Sequence, residues 1–117
     1  MKKVLIVEDN PDLSLILGKS LQDSGFSTDN VNDGHELLGY LRQEKAPDIV
    51  VLDLMLPERS GLELLYSLKS KWPQTKIFIF SAYSGYKDKP LFEDSVSGFY
   101  CKSEGITKII EAIKREP

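Results

Sequence analysis

Histidine and cysteine are nearly missing from this chain of 117 residues, which carries one of each, His35 and Cys101. A single cysteine excludes an intrachain disulfide and any cysteine-rich metal site. His35 falls in the first turn of a helical segment, away from every acidic strand end, and reads as a surface residue. No apolar stretch approaches the length of a transmembrane helix. Met1-Lys2-Lys3 runs straight into the apolar Val4–Val7, which leaves no room for a signal peptide, so the expected setting is cytoplasmic. A basic surface is lacking too. Fifteen Lys and Arg stand against 18 Asp and Glu, a formal net charge of -3, and Lys69, Lys71 and Lys76 are scattered. This argues against direct contact with nucleic acid, where phosphates call for clustered cations. Glycine is absent where a dinucleotide or flavin site needs it: the first strand is followed by Glu8-Asp9-Asn10-Pro11. The length suits one domain over residues 1–117 and is too short for two.

What is present is organised around residues 47–61, PDIVVLDLMLPERSG. Ile49, Val50, Val51 and Leu52 form an unbroken branched apolar run that stops at Asp53. Such a run predicts a strand covered on both faces, the centre of a parallel sheet. Val4–Val7 is a second run of this kind, and it ends in Glu8 and Asp9. Asn10 as cap and Pro11 in the first turn then start a helix. Its apolar stripe is expected at Leu13, Ile16, Leu17 and Leu21, and Gly25 ends it. Phe26–Asn32 is polar enough for an edge strand. Asp33 and Glu36 predict a capping box for a helix running to about Lys45, with Leu37, Leu38 and Leu41 inward.

After Asp53, Ser60 and Glu63 predict another capping box, for a helix that buries Leu64, Leu65 and Leu68 and stops at Trp72-Pro73. Ile77–Phe80 is the next buried strand and leads into Ser81. The stretch from Tyr83 to Ser97 supports only a short, weak helix at about Leu91–Val96. Gly98–Cys101 is a last strand leading into Lys102. Ser103 is the expected cap of a closing helix with Ile106, Ile109, Ile110 and Ile113 inward. Strands and helices alternate with short connections, which predicts a three-layer, doubly wound α/β fold around a five-stranded parallel sheet.

Parallel strands bring Glu8, Asp9, Asp53, Ser81 and Lys102 to one rim. Three adjacent carboxylates repel unless a cation neutralises them. Oxygen ligands with no histidine or thiolate nearby point to Mg2+. A carboxylate so placed can attack phosphorus, with Ser81 and Lys102 facing the oxygens of a transferred phosphoryl group. The alternative is that Lys102 simply pairs with Asp53 and the acids are strand-exit residues.

Over its whole length the sequence resembles the receiver domain of two-component response regulators, through Glu8-Asp9, Asp53 within VVLDLMLP, Gly61, Ser81 in FSA, and Lys102. The resemblance implies a flavodoxin-like strand order of 2-1-3-4-5. It implies phosphorylation at Asp53, with catalytic roles for Asp53, Ser81 and Lys102. It implies Mg2+ held by Glu8, Asp9, Asp53 and the main-chain carbonyl of Met55. The donor would be a sensor histidine kinase or a histidine phosphotransfer protein, and the chain would turn over no external substrate. Ser81 and Phe99 occupy the family's switch positions. Output would pass to a downstream effector domain or protein through the face of the weak helix, the last strand and the closing helix. The resemblance also admits a phosphorylation-dependent homodimer. Met55 and Tyr83, both bulky and without acid or amide, imply a slowly decaying phosphorylated state. Ser103 stands where many relatives have a proline that fixes a cis peptide, which leaves the Lys102–Ser103 geometry open. The competing readings are a degenerate receiver that binds partners without phosphorylation, and a small phosphatase using Asp53, which would need a cap and a second acid.

Overall fold

The computed structural model describes residues 1–43, 45–56, 59–82 and 96–117. The elements are β1 (Lys3–Val7), α1 (Pro11–Asp23), β2 (Ser27–Val31), α2 (Gly34–Tyr40), β3 (Ile49–Leu52), α3 (Gly61–Lys71), β4 (Lys76–Ser81), β5 (Gly98–Cys101) and a helix here called α4 (Thr107–Lys114). All strand pairs are parallel and the order is β2-β1-β3-β4-β5.

The unbroken apolar runs have a plain physical origin. Alternate residues of β1, β3 and β4 enter two separate cores. Leu5, Val7, Val50, Leu52, Ile77 and Ile79 pack with α2 and α3 on one face. Val4, Ile6, Ile49, Val51, Phe78 and Phe80 pack with α1 and α4 on the other. Each such side chain withdrawn from water contributes about 1.5–3 kcal/mol, so neither face tolerates a polar residue. β2, at one edge, is only partly covered and accordingly reads Ser-Thr-Asp-Asn-Val.

Helix ends show where local reading succeeds. Asn10 Oδ1 accepts from Asp12 N and Leu13 N, with Pro11 at the first helical position. Gly25, at φ 97°, closes α1: Gly25 N donates to Gln22 O and Phe26 N to Leu21 O. This paired pattern needs a left-handed residue, which glycine adopts without steric cost.

Several expectations are corrected. Ile16 is 51% exposed; the buried line of α1 is Ser14, Leu17, Gly18 and Leu21. A Cβ on Gly18 would sit at ordinary contact distance, 3.8 Å, from Ile6 Cδ1 and Thr28 Oγ1 of the sheet. α2 ends at Tyr40, not near Lys45, because beyond Gly39 the chain tightens into i−3 turns, Arg42 N to Gly39 O and Gln43 N to Tyr40 O. Asp33 caps α2, but the Glu36 carboxylate accepts from Asn32 N, one residue before the cap. Ser60 makes no side-chain cap, and Glu63 pairs with Arg59 at 3.3 Å instead. Ser103 is not a cap either: it lies in a 3-10 turn, Lys102–Glu104, and Gly105 at φ 82° redirects the chain into α4. The expected stripe of the closing helix holds: Ile109 and Ile113 are buried, and Ile106, just before α4, and Ile110 pack half-buried against the same core, which Ala112 also enters. Every described peptide bond, Lys102–Ser103 included, is trans. The weak helix expected at 91–96 falls almost entirely, and Tyr83 wholly, outside the described residues.

Candidate functional site

The sheet ladder itself delivers the acids. Beyond the last residue of β3, Asp53 N donates to Val7 O at 3.1 Å, and beyond β1, Glu8 N donates to Val31 O at 3.1 Å. Both carboxylates therefore leave rigid, paired backbone, and both side chains are 2% exposed. Burying two anions side by side is costly unless each finds a cation or a donor.

Lys102 supplies the cation. Its Nζ lies 2.7 Å from Asp53 Oδ2 and 2.8 Å from Glu8 Oε1. Main-chain amides supply the rest: Met55 N donates to Asp53 Oδ1 at 2.9 Å, and Asn10 N to Glu8 Oε2 at 3.0 Å. Burial pushes the Glu8 carboxyl above the usual range, against the pull of the Lys102 and Asn10 hydrogen bonds. For Lys102, burial works against the charge, but the hydrogen bonds to Asp53 and Glu8 outweigh it and hold the ammonium above its ordinary value.

Asp9 lies exposed at the mouth of this arrangement. One carboxylate oxygen each of Glu8, Asp9 and Asp53 lie within 4.8 Å of one another. The donor set is oxygen only, small and strongly anionic, which fits a hard divalent cation such as Mg2+ that keeps part of its water. Ser81, fully buried, ends β4 opposite Cys101 of β5, one residue before Lys102. Met55 turns its side chain to solvent, 56% exposed, while its amide faces Asp53. Phe99 is half-buried against the α2–α3 core. Tyr100 faces the other core, its ring 6.4 Å from that of Phe78.

The structure thus gathers Glu8, Asp9, Asp53 and Lys102 into one cluster. Three contacts have no forerunner in the sequence reading: Lys102 with Glu8, the Asn10 amide with Glu8, and the Met55 amide with Asp53. Asn10 shows in the sequence only as a cap, since a main-chain donor leaves no residue-type signal.

Residues 4–114 match the response regulator receiver domain family. The chain is a receiver domain of that family. It is 39% identical over 89 residues to the virulence transcriptional regulatory protein PhoP of Salmonella typhi, covering 76% of this receiver and 39% of that protein. It is 31% identical over 116 residues to a putative transcriptional regulator of Pseudomonas aeruginosa, covering 97% and 56%. The chain therefore spans about a third to a little over half of the curated relatives' length. Among solved structures, the response regulator TrrA of Thermotoga maritima in complex with Mg2+–BeF is 29% identical, with a TM-score of 0.84 and 98% of each chain covered. TrrA in complex with the histidine kinase ThkA gives 30% identity and a TM-score of 0.84 over 98% and 97% of the two chains.

Proposed function

We propose that this receiver takes a phosphoryl group from the phosphohistidine of a histidine kinase or histidine phosphotransfer protein onto Asp53. The observation that carries the reading is the held carboxylate: Met55 N–H on one oxygen, Lys102 on the other, Glu8 and Asp9 alongside. An Asp53 oxygen attacks phosphorus, the P–N bond to the donor imidazole breaks, and the imidazole leaves with that electron pair. Glu8, Asp9, Asp53 and the Met55 carbonyl are the proposed holders of Mg2+. Bound there, the ion supplies charge neutralisation and polarises the phosphoryl oxygens. Lys102 and the Ser81 hydroxyl then face the added anion, whose charge outcompetes the Glu8 contact that Lys102 makes in its absence. The TrrA–ThkA complex supports a kinase as the kind of partner. Leu15 and Ile16, 71% and 51% exposed on the helix that follows Asp9, are the proposed apolar contacts for it.

The complete set of acids and lysine favours this reading over a degenerate receiver. Output is proposed to run through Phe99, which moves inward as Ser81 turns toward the phosphoryl group, and so to β5 and α4; the third component of that face lies outside the described residues. Amide NMR tests both halves. Mg2+ is expected to shift the amides of residues 8, 9 and 53–55, and Asp9→Asn with Asp53→Asn to abolish the response. Added beryllofluoride is expected to extend the shifts to Phe99 and α4. A Mg2+ response that survives the double variant sinks the metal assignment. Shifts confined to the rim loops sink the Phe99 route.

A further inference from the structure

Gly61 opens α3 with its Cα pressed against the chain that leaves β3. A Cβ on it would lie 2.6 Å from both the Cα and the carbonyl oxygen of Leu54, and 2.8 Å from Leu54 Cβ. Two of those three contacts are main chain, which cannot swing aside as a flexible side-chain end would. Gly61 is not among the glycines at positive φ, Gly25 and Gly105, so space and not torsion demands it.

The crowded oxygen belongs to the Leu54–Met55 peptide, and the N–H of that same peptide donates to Asp53 Oδ1 at 2.9 Å. A peptide unit is planar and stiff, so displacing its oxygen turns its N–H as well. Leu54 cannot retreat easily, because its side chain is 4% exposed in the α2–α3 core. A push from residue 61 is therefore passed to the hydrogen bond that orients Asp53.

We propose that Gly61 is a positioning residue for the phosphoacceptor. Its missing side chain lets α3 seat the Leu54–Met55 peptide so that the amide pins Asp53 Oδ1 and leaves Oδ2 to Lys102. The consequence for phosphoryl uptake rests on the function proposed above; the consequence for the Met55 amide does not. An ordinary helix position gains stability when glycine becomes alanine, so the sign of the Gly61→Ala effect is already informative.

The test compares Gly61→Ala with Leu68→Ala, a core truncation further along the same helix that leaves the rim alone. Both are studied as the whole chain in trimethylamine N-oxide, which favours the compact state. In the metal-free protein the Met55 amide of Gly61→Ala is expected to move upfield and lose exchange protection, while that of Leu68→Ala keeps the wild-type shift. Mg2+ affinity of Gly61→Ala is expected to fall by about tenfold or more, the scale seen when the contacts that orient a metal ligand are lost. Gly61→Ala matching Leu68→Ala in both readouts overturns the proposal. So does a Gly61→Ala chain that stays unfolded, because the clash is then borne by the core and not by one peptide. A wild-type chain that binds no Mg2+ and takes no phosphoryl group contradicts the proposed function alone, since the Met55 amide still reports on Gly61.

Discussion

Lys102 meets two buried carboxylates at once, Glu8 and Asp53. Removing one partner of a buried ion pair leaves an uncompensated charge, which typically costs about 3–5 kcal/mol. In Lys102→Met, Glu8 loses the hydrogen bond and the attraction that hold its carboxyl down, while burial still pushes it up. Its titration is expected to move further above the ordinary glutamate range, as read from the side-chain carbonyl carbon by NMR. With the folded-state value above the unfolded one, the folded chain binds the extra proton, so stability is recovered as pH falls through the folded value. The deficit of Lys102→Met is expected to be largest at neutral pH and to shrink on acidification. A Glu8 carboxyl that titrates lower in the variant than in the wild type contradicts this account.

At the scale of elements, glycines separate backbone demands from packing demands. A methyl group on Gly25, at φ 97°, would meet nothing within 4 Å, and the same holds for Gly39 inside α2. Gly25→Ala is therefore expected to cost about 1 kcal/mol through backbone strain alone. Gly39→Ala is expected to gain about 0.5–1 kcal/mol from helix propensity. Urea midpoints that fail to move in opposite directions contradict the assignment. The strands were legible because two-sided burial writes itself as unbroken apolar runs, and their end residues marked the rim. The first helix start was legible because Asn10 and Pro11 each have one strong local preference. What could not be read depends on distance between elements. Ser14 and Gly18 are buried where α1 presses on the sheet, a place apolarity does not mark, and Ile16 faces water instead. The reciprocal half of the expected box at Ser60 is missing because the Glu63 carboxylate has Arg59 as a competing partner, and Ser103 is no cap because Gly105 turns the chain before α4 begins.

For the molecule as a whole, the two cores hold the ends of the five parallel strands along one rim, and no described helix is long and apolar enough to cross a membrane. The residues proposed for the chemistry lie at the carboxyl ends of the strands, where open parallel sheets present their reactive groups. Site and scaffold are thus inseparable, since shifting any strand by one residue would turn its terminal side chain to the other face. Phosphorylation at Asp53 is read most directly from intact mass after incubation with phosphoramidate, with and without Mg2+, for the wild type and Asp53→Asn. The wild type is expected to gain one phosphoryl group in Mg2+, with little gain without the ion and none in Asp53→Asn. A folded wild type that gains nothing, or an Asp53→Asn chain that is labelled as fully as the wild type, would contradict it.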